Sequence, residues 1–200
     1  MPSTSKSLEE SLTPPRPHQV DGDLVSQAAR GDRQAFCTLV RVYQDRLFNV
    51  CLRIVGDRQT AEDLTQEAFM KAHDSMVRFD GRAAFYTWLY RIAVNLCLSE
   101  RRSRRTLRLL VNEDGVGAQQ AAAIPSPMER ADLREQHSLV LAALADLEEE
   151  YRVVVVLRDI DSLDYSEIAE ILGVPTGTVK SRLHRGRMAL RERLKHLMDG

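Results

Sequence analysis

A group of residues near the C-terminus has the types and spacing to grip a nucleic acid: Thr178, Lys180, Ser181, Arg182, His184, Arg185 and Arg187. At about 100° per residue, Thr178, Ser181, His184 and Arg185 share one helical face, with Lys180, Arg182 and Arg187 on its flanks. Hydroxyl, imidazole and guanidinium groups can bond base edges, and the flanking cations can reach phosphates. The opposite stripe is apolar, made of Val179, Leu183, Gly186, Leu190, Leu194 and Leu197. A solvated basic face on an amphipathic helix would carry similar residues.

The segment in front favours DNA. Asp164 and Glu167 have the spacing of a capping box. Ile168, Ile171 and Leu172 then lie on one face. Gly173 offers a left-handed stop, and Val174-Pro175 leads into the next helix. Helix, short glycine-bearing turn, helix is the arrangement that lays a recognition helix in a major groove.

A second set lies in mid-chain. Phe79, Asp80, Gly81 and Arg82 fall in a loop. The helix expected after it, from about Ala84 past Ser99, has the stripe Phe85, Trp88, Leu89, Ile92 and Leu96. Around that stripe lie Tyr86, Tyr90, Arg91 and Asn95, followed by Arg101, Arg102, Arg104 and Arg105. Rings and cations beside a loop can stack unpaired bases while the phosphates track a positive groove. The same pattern describes core aromatics and a solvated helix end, and pattern alone favours that plainer reading.

The elements that must hold these residues can be read from the rest of the chain. Its 200 residues are 44% hydrophobic and 28% charged, with a net charge of −1. That is an ordinary globular composition with no global pull toward nucleic acid. Charge is instead segregated locally: acid gathers at Glu62–Glu67 and Glu148–Glu150, base at Arg101–Arg108 and Lys180–Lys195. Cys37, Cys51 and Cys97 are odd in number, widely spaced and set in apolar patterns, so buried free thiols in a reducing compartment are expected. Nothing has zinc-ligand spacing, and no metal or cofactor is expected. No run is long enough to span a bilayer. The start, MPSTSKSLEE, lacks the apolar core of a signal peptide, so a cytoplasmic protein is expected.

Residues 1–20 read as a disordered tail with Pro14, Pro15 and Pro17. Helices are expected over Asp23–Ala29, Arg33–Val55, Gln59–Met76, the aromatic stretch, Met128–Leu147 and the helix-turn-helix. Val153–Val156 has β-propensity but no partner strand, so it too is assigned to helix. The fold class is therefore all-α. Two small helical domains, 21–105 and 128–200, are joined by a flexible linker, 106–127.

Three stretches, AEDLTQEAFMKAH, FDGRAAFYTWLYRIAVN and YSEIAEILGVPTGTVKSRLHRGR, together resemble the group IV, or extracytoplasmic-function (ECF), sigma factors of bacterial RNA polymerase. The resemblance covers Asp23–Arg105 and Leu139–Leu197 and implies sigma regions 2 and 4. It implies that Asp63, Gln66 and Glu67 dock on the clamp helices of the polymerase β′ subunit. It implies that the loop Phe79–Ala84, with Asn95, captures a flipped base of the −10 element on single-stranded DNA, and that Arg101–Arg105 hold phosphates. It implies that Lys180, Ser181, His184 and Arg185 read the −35 element as duplex, supported by Arg158. Region 4 would also bind the β flap, and an anti-sigma factor is an expected partner.

Two rivals are weighed against this. A conventional helix-turn-helix regulator would bind duplex DNA without polymerase, usually as a dimer, and would leave the mid-chain set unused. A nuclease or recombinase would need clustered carboxylates. Asp159, Asp161 and Asp164 are close in sequence but read as loop and capping residues, so no enzyme is expected.

Overall fold

The computed structural model describes residues 22–112 and 139–199, and among these it contains helices and no strand. The first group is α1 (Gly22–Ala29), α2 (Arg33–Val55), α3 (Arg58–Ser75), a 3₁₀ turn (Met76–Arg78) and α4 (Phe85–Asn112). The second is α5 (139–145), α6 (Glu149–Val155), a π turn (Val156–Ile160), α7 (Tyr165–Leu172) and α8 (Thr176–Asp199). The expected tail and most of the expected linker lie outside the described residues.

Local chemistry sets the boundaries. The Asp32 carboxylate accepts from the backbone N–H of Gln34 at 2.8 Å and of Ala35 at 3.2 Å, starting α2. Gly56, at φ 80°, ends it and returns its N–H to the Leu52 carbonyl. Asp57 then caps α3 by accepting from the Thr60 N–H at 2.8 Å. A stop and a start side by side turn α3 back to pack along α2. Leu39, Leu47 and Cys51 of α2 are fully buried between them and α4.

Helix α4 departs from its expected single stripe. Phe85, Leu89 and Ala93 are buried, but so are Tyr86, Tyr90, Val94 and Cys97, whereas Trp88 and Ile92 are only partly covered. The reason is that α7 of the second group packs on the far side of α4. Helix α4 also continues to Asn112, through residues expected to begin the linker. Arginine and leucine are good helix formers, and the Thr106 hydroxyl bonds back to the Arg102 carbonyl at 3.0 Å. Cys51 and Cys97 are buried as expected, but Cys37 is exposed, because it falls on the outer face of α2.

In the second group the valine run is helical and wholly buried, as suits a short helix covered all round. Arg152, within that run, is 1% exposed. Its guanidinium donates to the carbonyls of Ala145 and Leu147 and to that of Ile54 at the end of α2. Asp164 and Glu167 form the expected capping box, and Gly173 adopts φ 65°. Gly186 lets α8 approach α6 closely: a Cβ there would sit 2.8 Å from Val155 Cγ2. The buried residues of both groups form one continuous core.

Candidate nucleic-acid interface

Buried Val179, Leu183 and Gly186 fix how α8 is rotated. With that seam inward, Lys180, Ser181, His184 and Arg185 are exposed and Thr178 is half-buried. The Ser181 hydroxyl donates to the Thr178 carbonyl at 3.0 Å, so its lone pairs remain able to accept. The flanking cations differ. Arg182 pairs with Glu150 of α6 at 2.7 Å. Arg187 makes a two-pronged contact to Asp159, at 2.9 and 2.5 Å. These two arginines hold α8 onto the elements beneath it. Lys180 and Arg185 have no ion pair among the described residues, so their charge is the part offered outward.

Arg158 and Lys180 are far apart in sequence, yet both lie over the ring of Tyr165, at 4.9 and 5.6 Å from its centroid. Arg158 is held there by donating to the Leu163 carbonyl at 2.7 Å. Cation–π attraction thus gathers two cations at the start of α7. Sequence reasoning missed Tyr165; the signal available was an aromatic at the first position of a capped helix.

The mid-chain loop is shaped by its own residues. The Phe79 N–H closes on the Met76 carbonyl at 3.0 Å. The Asp80 carboxylate accepts from the Arg82 N–H at 3.1 Å, and Gly81 supplies φ 71°. Phe79 packs on Trp88, with centroids 5.1 Å apart, and edge-on to Phe85 at 6.0 Å. Asn95 is exposed and follows Trp88 on the same face of α4. Between the loop and α1 lies a cavity of about 370 Å³, bounded by Phe79, Asp80, Gly81, Tyr43, Phe85 and Ser26. That is within the range of small-ligand pockets. The wall from α1 was not foreseen.

The structure does not place the other mid-chain candidates together with that loop. Tyr86 is 4% exposed, and its hydroxyl donates to the Glu167 carboxylate on α7. Arg101 donates to the Ile54 carbonyl at 3.1 Å and approaches Glu149 at 3.7 Å. Arg104 pairs with Glu100 at 2.6 Å and donates to the Thr60 hydroxyl. Arg102 and Arg105 are exposed. The arginine run thus divides by helical phase into inward and outward members.

On α3, Asp63, Gln66 and Glu67 are exposed. Beside them a groove of about 740 Å³ runs between α2 and α3, lined by Phe36, Phe48, Phe69, Met70 and Gln66 among others. Among the described residues no cluster of His, Cys, Asp or Glu could hold a metal, and no helix is long and apolar enough to cross a membrane.

Two packed helical modules, one ending in an outward-facing recognition helix and the other carrying a ring-lined loop, define a two-site DNA-binding protein. Comparison with known proteins gives the class a family. Residues 39–106 match the model of sigma-70 region 2, and residues 137–190 match sigma-70, region 4. The chain is 38% identical over 179 residues to the ECF RNA polymerase sigma factor SigW of Bacillus subtilis, covering 86% of this chain and 96% of that protein. It is 34% identical over 186 residues to the ECF RNA polymerase sigma-E factor of Escherichia coli, covering 89% and 96%. Among solved structures it is similar to RpoE of Bartonella quintana in complex with the anti-sigma factor NepR, with TM-score 0.67, 28% identity and coverage of 81% and 98%. It is also similar to CnrH in complex with the cytosolic domain of CnrY, with TM-score 0.63, 26% identity and coverage of 88% and 96%. The chain belongs to the ECF sigma factors of the sigma-70 family. It is a promoter-specificity factor: it binds core RNA polymerase and directs initiation through the −35 and −10 elements.

Proposed function

We propose a residue-level division of that work. Thr178, Lys180, Ser181, His184 and Arg185 read the −35 duplex from the major groove, with Arg158 on an adjacent phosphate. The loop Phe79–Arg82 and Asn95 hold an everted base of the −10 strand, and Arg102 and Arg105 follow its backbone. A pocket that fits only the extruded base gives differential affinity for the melted state, which is what drives opening. Asp63, Gln66 and Glu67 dock on a basic polymerase surface, with the neighbouring apolar groove completing the contact. The domain division is region 2 from about residue 21, then a linker, then region 4 to the C-terminus. The factor acts in the cytoplasm without catalysing bond chemistry itself. Because the similar solved structures are complexes with anti-sigma factors or the like, an inhibitory protein partner is part of the proposal.

The observation that carries the reading is the outward face of α8, where Lys180 and Arg185 project opposite a fully buried seam. Runoff transcription with core polymerase on a promoter library tests it. Arg185→Ala reduces discrimination among −35 sequences by about tenfold or more, the worth of a good base contact. Asn95→Ala lowers the yield of open complex while duplex affinity is kept. Unchanged transcription in both variants refutes the site assignments and leaves the family untouched.

A further inference from the structure

The first module presents an unusual face to the second. On it lie Tyr86 and Tyr90 of α4, Arg46 and Arg53 of α2, Arg101, and the Ile54 carbonyl. Opposite stand Glu149 and Arg152 of α6, Asp161 after the π turn, and Glu167 of α7. Tyr86 donates to Glu167. Arg152 reaches the Ile54 carbonyl at 2.8 Å, and Arg101 approaches Glu149 at 3.7 Å. We propose that this face is a docking surface whose occupant is the chain's own helix-turn-helix module. The docked form is then a resting state that must open before both promoter elements can be engaged together.

One argument is chemical. The Tyr90 hydroxyl, Arg152 Nε and Asp161 Oδ2 are buried without a hydrogen-bond partner, and all three sit at this junction. An unpaired buried polar atom weakens the contact that buries it. Separation would return these atoms to water. A permanent seam gains nothing from such a cost, whereas a reversible one is kept poised by it.

The other argument is geometric, and it rests on the promoter reading above. Elements centred at −35 and −10 are about 25 base pairs apart, or about 85 Å of duplex at about 34 Å per turn. Tyr86 touches Glu167 in α7. At 1.5 Å per residue, the 8 residues of α7 span about 12 Å and the 24 of α8 about 36 Å. The docked reading faces therefore cannot reach both elements. Opening also frees the Tyr86 ring, now covered by α7, to join the mid-chain surface.

Fluorescence energy transfer on the full chain tests this without DNA. One label goes on exposed Cys37 and the other on Glu170→Cys, on the exposed side of α7; Cys51 and Cys97 are buried. The free protein gives mainly short distances, and core polymerase shifts them to long ones. Tyr86→Phe deletes only the hydroxyl bonded to Glu167 and raises the open-to-docked ratio about tenfold, the worth of a hydrogen bond to a charged group. Tyr90→Phe removes a partnerless hydroxyl and lowers that ratio. Mainly long distances in the free wild type, or a ratio unmoved by Tyr86→Phe, overturns the proposal. This readout is independent of promoter recognition, so its failure is distinguishable from failure of the runoff assay.

Discussion

Gly186 shows how much of the reading face depends on an absent side chain. An alanine Cβ would meet Val155 Cγ2 at 2.8 Å and the Tyr151 carbonyl at 3.2 Å. Neither neighbour is the loose end of a long side chain, so α8 would have to lift from α6. Overpacking of this kind costs about 1–3 kcal/mol. Gly186→Ala should therefore lower the midpoint of urea unfolding by that amount and also weaken −35 duplex binding, since the lifted helix carries Ser181 and Arg185. Alanine is the better helix former by about 1 kcal/mol. A gain in stability would thus mean that helix propensity outweighs the close approach.

At the scale of the element, the capping box of α7 is the clearest case of local sequence dictating structure. The Glu167 N–H donates to Asp164 at 2.8 Å, and the Asp164 N–H donates to Glu167 at 2.7 Å. Asp164→Ala should cost about 1 kcal/mol, read as a lower melting temperature by circular dichroism. Such features were legible because cap, stripe and stop lie within a few residues of one another. The limits of α2 and the turn of α7 into α8 follow directly from Asp32, Gly56, Asp164 and Gly173. The phase of α8, and with it the outward set from Lys180 to Arg185, was legible for the same reason. What escaped depends on groups distant in sequence. The second buried face of α4 exists because α7 covers it. Arg101 and Tyr86 face inward for that reason, and no periodicity within α4 could reveal the partner. Tyr165 likewise matters through Arg158 and Lys180, which only the fold brings to one ring.

For the whole molecule, the junction between modules carries a pH dependence with a definite sign. Burial holds the Asp161 carboxyl above the ordinary 3.8, while Tyr90, Arg46 and Arg53 pull it down and Glu167 pushes it up. A solvated Asp161, in an opened molecule, returns toward the ordinary value. The docked form thus binds this proton more tightly, and docking weakens as pH rises from about 3.8 up to the raised docked value. The open-to-docked ratio from the label pair should climb over that interval. Asp161→Asn should remove this share of the slope, leaving whatever the other carboxylates contribute. An identical profile in the variant would assign the titration elsewhere.

The two ends of α2 belong to different contacts. Phe36 and Phe48 line the groove beside α3, while the Ile54 carbonyl is clasped by Arg101 and Arg152. A helix of 23 residues slides as a rod, so an occupant that shifts it along its axis by about 1 Å loosens a clasp that hydrogen-bond geometry allows little slack. Thermodynamic reciprocity then applies: anything that releases the clasp tightens the groove's hold on that occupant by the same factor. The far end of one rod would give the factor a preference for enzyme over solvent before any promoter is met.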